Sequence, residues 1–164
     1  MKFKHTFIVI ALLISVITPV SNAQDKHTDT VNLELSTGLM DLLRTEMREI
    51  LSGVQTIPSS IAMADWKKIA DISNKIKSSY ILEQKITPEQ KNELQRKLPE
   101  YFKRMDKNFH MEAVKLESAA RSHDPQLVTF HYYRLIESCA SCHSTYATKR
   151  FPGFLPEKSI EHHH

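Results

Sequence analysis

From residue 33 onward the apolar positions recur at steps of three and four, and no stretch alternates polar with apolar over a strand's length. That is the period of an amphipathic helix. Leu35, Leu39, Leu42, Met47, Ile50 and Val54 predict a first helix over about residues 33–54, ended by Ile57-Pro58-Ser59-Ser60. Trp66, Ile69, Ser73, Ile76 and Tyr80 predict a second over about 61–83. Thr87-Pro88-Glu89-Gln90 reads as a capping box with proline in the first turn. It opens a third helix to about Ser122, with Leu94, Leu98, Phe102, Met105, Phe109, Leu116 and Ala120 inward. Pro99 predicts a kink, or a short helix ahead of the main one. Asp124-Pro125 repeats the cap-and-proline start, and the fourth helix spans about 125–150 until Phe151-Pro152-Gly153 stops it. Each helix needs a neighbour for its apolar stripe, so the expected fold is an all-α, antiparallel four-helix bundle.

The chain's two ends read differently. Lys2 and Lys4, an apolar run from Phe7 to about Val20, and Ser21-Asn22-Ala23 predict a signal peptide over residues 1–23. Its apolar run is short for a membrane span, and no later segment is apolar enough to be one. The domain is expected over 24–155, with 156–164 a tail whose His162, His163 and His164 resemble a purification-tag remnant. Cleavage after Ala23 leaves 141 residues with 20 basic and 19 acidic side chains. That near-neutral balance implies no nucleic-acid or membrane partner. Three glycines are too few for folds built on tight hairpins or phosphate loops.

The chemistry concentrates in Glu137-Ser138-Cys139-Ala140-Ser141-Cys142-His143, which holds both cysteines of the chain. On the fourth helix Cys139, Cys142 and His143 stand at i, i+3 and i+4, on one face with Val128, Tyr132, Leu135 and Tyr146. A disulfide would close a trivially small loop with poor geometry inside a helix. Zinc would want a fourth ligand, and a thioredoxin-like dithiol an α/β fold. Covalent haem uses all three residues: two thioether links to the macrocycle and an imidazole on the iron.

With that motif on the last of four helices, residues 33 to 151 resemble the cytochrome c-prime family of class II c-type cytochromes. The resemblance implies one covalent haem c per chain within the bundle, a periplasmic location and, often, a homodimer. It also implies two branches. In one, an apolar residue faces the iron and five-coordinate haem binds nitric oxide or carbon monoxide. In the other, a helix-one methionine completes a low-spin centre and begins a stripe with apolar residues three, seven and ten positions on. Met40, Leu43, Met47 and Ile50 fit that spacing with Met40 as ligand beside His143. A methionine on a helical stripe is by default core packing, and Met47 is the other candidate ligand.

Tyr146 matches the family's aromatic three residues after the haem histidine and is expected beside the porphyrin, but Ala147 stands where the family has arginine, with Lys149 and Arg150 later. His131 lies about 18 Å along the same helix from His143, too far to serve the same iron. His110 looks turned away from the stripe, toward solvent, and His27 and His123 fall in a tail and a turn. The function expected is a non-enzymatic electron carrier with His143 and Met40 on iron, exchanging electrons with periplasmic redox proteins. The alternatives are five-coordinate gas binding and, last, a peroxidase, which would need a distal acid–base group. Glu46 and Arg44 lie on faces neighbouring Met40.

Overall fold

The computed structural model describes residues 33–155, so the expected signal peptide and the closing histidines lie outside the described residues. Among them the structure is helical, without a strand: α1 (Thr37–Val54), α2 (Ile57–Ala62), α3 (Trp66–Lys77), α4 (Leu82–Lys85), α5 (Pro88–Lys97), α6 (Glu100–Arg121), α7 (Pro125–Tyr146) and a 3-10 turn at Pro152–Phe154. The long helices α1, α3, α6 and α7 form the bundle.

Cross-contacts fix their directions. Glu46 meets Tyr80 and Gly53 meets Ile72, so α3 runs against α1. Trp66 stacks on His123 while His110 reaches Ile76, so α6 runs against α3. Phe102 meets Tyr146 and Glu112 meets His131, so α7 runs against α6. The start of α1 and the end of α7 therefore share one end of the molecule. The core between α3, α6 and α7 is built on Ile69, Ile76, Leu116, Val128 and Leu135, each fully buried. α1 leans on α3 and α4, with its Ile50 and Val54 joining that core, and has no extended packing against α7.

Three elements depart from the sequence reading. Ile57–Ala62, expected as a break, is a helical turn, because Pro58 sits in the first turn, where a missing N–H costs nothing. The second helix is shorter than expected, capped by Asp65 at one end and stopped before Ser79, whose φ of 55° turns the chain out of the helix. Tyr80 consequently leaves the α3 stripe. The fourth helix stops at Tyr146 rather than 150. At Pro99 the sequence offered a kink or a short helix, and the short helix α5 is present, with its Thr87–Gln90 capping box. Met47, expected inward, is 39% exposed, because no helix among the described residues packs closely against that flank of α1.

Candidate haem site

Asp124 opens α7 by accepting the N–H groups of Gln126 and Leu127, both at 3.0 Å, with Pro125 at the first helical position. From that start the helix runs unbroken to Tyr146, bringing Cys139, Cys142 and His143 onto one face within its last two turns. Both cysteines are free and half-buried. Burial pushes the Cys139 thiol up, and burial with nearby Asp106 and Cys139 pushes Cys142 up to about 11. Both are therefore thiols at neutral pH. Among the described residues no three His, Cys, Asp or Glu side chains converge to hold a metal ion.

Burial and the charge of Arg150 hold His143 below the usual imidazole range, so it is neutral with a lone pair to give. Phe151 stacks on its ring, centroids 4.7 Å apart and planes 23° off parallel. The turn behind α7 makes that contact: Ala147 accepts the N–H groups of Arg150 and Phe151, both at 2.9 Å, folding them back toward His143. The positive charge absent at position 147 thus arrives from Arg150. Tyr146 meets Phe102 edge-on at 5.1 Å, which ties the end of α7 to the start of α6.

Met40 lies in the first turn of α1, half-buried beside fully buried Leu39. Met47 and Leu51 continue its flank at i+7 and i+11 and are 39% and 54% exposed. Ile136, seven residues before His143 on α7, is likewise 39% exposed. The helices carrying Met40 and His143 each keep an apolar flank that none of the described residues covers fully.

Glu46, which sequence reasoning set only on a face neighbouring Met40, is buried on α1, and its carboxylate accepts the N–H groups of Tyr80, Ile81 and Leu82 at 2.7, 2.7 and 3.0 Å. The available sign was its place on the buried stripe, seven residues after Leu39 and four before Ile50. His110 also differs from expectation. It is half-buried, with Nδ1 2.8 Å from the Ile76 carbonyl oxygen. His131 pairs with Glu112 at 3.0 Å on α6, and His123 is exposed in its turn; His27 lies outside the described residues.

Two neutral thiols one turn apart, a neutral imidazole next to them and uncovered apolar flanks fit a covalently held haem. Cys139 and Cys142 would supply the thioethers and His143 the axial nitrogen. Comparison with curated proteins and with solved structures gave no match. The family model described as Cytochrome C' matches residues 37–147, from the first residue of α1 to the residue after α7. The chain belongs to the cytochrome c-prime family, whose members hold a c-type haem covalently.

Proposed function

We propose that this protein is a periplasmic electron carrier in which His143 and Met40 would both hold one haem iron. The observation that carries the reading is topological. Antiparallel packing puts the first turn of α1, with Met40, at the same end as the last turn of α7, with His143. Met47 stands seven residues further, about 10 Å away along α1.

When bound, the haem supplies the ferric–ferrous couple, and a thioether ligand favours the ferrous side. The residues do the remaining work. Cys139 and Cys142 anchor the ring, and His143 gives its lone pair from an orientation held by Phe151. Met40 offers a soft sulfur, while Leu43, Met47 and Ile136 keep water from the ring faces. No substrate is transformed in this reading. Glu46, the carboxylate that a peroxidase would want for proton transfer, is committed to three backbone N–H groups. Periplasmic redox proteins are the partners, and pairing of two copies is open to sedimentation equilibrium.

The test is the optical and paramagnetic-resonance spectrum of the ferric protein purified from a host with cytochrome-maturation machinery. A low-spin signal with a methionine-to-iron band in the near infrared is expected. A high-spin signal would sink the assignment and return the protein to five-coordinate gas binding.

A further inference from the structure

The end of the molecule where α7 stops carries an unusual surface. On α6 the Arg104 guanidinium lies over the Tyr101 ring, 5.5 Å from its centroid. Past α7 the Arg150 guanidinium lies over the Phe151 ring at 5.7 Å. Both rings are open to solvent, 46% and 36% exposed. The two pairs flank one helix end, for Phe102, next to Tyr101 on α6, meets Tyr146 edge-on, while Phe151 stacks on His143. Lys107, one turn beyond Arg104, and Lys149 add to the charge.

Residues 96–109 and 147–155 together hold seven Lys or Arg against two carboxylates, in a chain whose charges otherwise nearly cancel. Lys103 is paired with Glu100 and Lys97 with Glu93. Among the described residues, Arg104, Lys107, Lys149 and Arg150 have no carboxylate within ion-pairing distance. Exposed aromatic rings with arginine laid on them are what the centres of protein interfaces are made of. Positive charge left unmatched around such a centre selects a partner of the opposite sign and speeds its encounter.

We propose that the surface formed by Tyr101, Arg104, Lys107, Lys149, Arg150 and Phe151 docks the acidic face of a partner protein. A second copy of the chain does not fit, because an interface between identical faces would set these cations against one another. A lipid surface fits less well. Glu100 and Asp106 lie within the patch, and its cations are spread over two segments rather than run together as in lipid-binding clusters. The proposal deepens the electron-transfer reading by giving the partner its chemistry, and docking at this end would bring that partner beside His143.

The experiment is binding of short poly-L-glutamate to the full haem-loaded protein, followed by amide shifts and by affinity at low and moderate salt. Vesicles of phosphatidylglycerol are the parallel probe. Expected are salt-sensitive binding of the acidic peptide, shifts centred on Tyr101 and Phe151, and weak vesicle binding. The double reversal Arg104→Glu with Arg150→Glu should weaken peptide binding about tenfold or more. Lys67→Glu with Lys68→Glu, the same change in net charge at the start of α3, should change it about twofold or less. Equal loss in the two variants, no peptide binding, or tighter binding to vesicles would overturn the proposal. Peptide binding is blind to the iron's sixth ligand, so a high-spin spectrum would leave this surface standing, and failure here would leave the spectrum to decide the ligand.

Discussion

Two methionines on α1, Met40 and Met47, stand a heptad apart on one flank, and burial separates them. Met40 is held next to Leu39 at the end shared with His143, while Met47 is well exposed toward the middle of the helix. Met40→Ala should therefore abolish the near-infrared methionine band and turn the ferric protein high-spin, whereas Met47→Ala should keep both band and spin state. Optical spectra of the two variants decide it. Glu46 carries a different burden. Its removal strands three partly buried N–H groups at once, and Glu46→Ala should cost about 3 kcal/mol of stability, read as a lower urea midpoint. Glu46→Gln should cost less, because one amide oxygen still accepts. The placing of Cys139, Cys142 and His143 on one helix face was legible because their i, i+3, i+4 spacing fixes it wherever the helix is unbroken. Glu46 was not, because a carboxylate on an apolar stripe makes sense only once the backbone groups it receives are in place, and they come from residues 34 to 36 positions away.

Among the elements, α1 and α5 are joined by a clasp. Ser36, the N-cap of α1, lacks a capping bond to its own helix and instead donates its N–H and hydroxyl to the Glu93 carboxylate at 2.7 and 2.8 Å. The carboxylate also sits favourably at the positive end of α1. Lys97, and after it Ser36, hold the Glu93 carboxyl at about 2, below its ordinary 4.5. A folded-state value lowered in this way contributes stability that is complete above about 4.5 and fades as the pH falls toward about 2. Acid titration of amide-exchange protection at Ser36 and Met40 should show that loss in the native chain, and Glu93→Gln should remove the acid-dependent step, because an amide in that place does not titrate. The helical periods were readable because four long stripes repeat over many turns. The ends of α3 were not, because Ala64 and Ser79 take positive φ with no glycine to announce them. Pro58 misled for a related reason, since a proline that breaks a helix interior also suits a first turn.

At the scale of the whole molecule, α3, α6 and α7 pack tightly while α1 leans on one side of them. Protein made without haem attachment should keep the α3–α6–α7 core and lose protection of α1. Limited trypsinolysis should then cut first after Arg44 and Arg48, sites closed in the loaded protein. Equal protection of α1 in both forms would show that it docks without the prosthetic group. The overall architecture was open to sequence reading because helix number and connection lengths leave few ways to close a bundle. The clustering of charge at one end was not, because residues 104 and 150 are distant in the chain and come to the same end of the molecule only through antiparallel packing.

The order of attachment sites along the polypeptide has a kinetic consequence. The thiols proposed to fasten the macrocycle lie on the last long helix, while the flank it would shelter belongs to the first, roughly a hundred residues earlier. If the chain is threaded across a membrane from its amino end, α1 emerges long before Cys139. On that reading α1 would stand with its apolar side wetted until a loop of about a hundred residues closes, and the entropic cost of that closure grows with the loop's length.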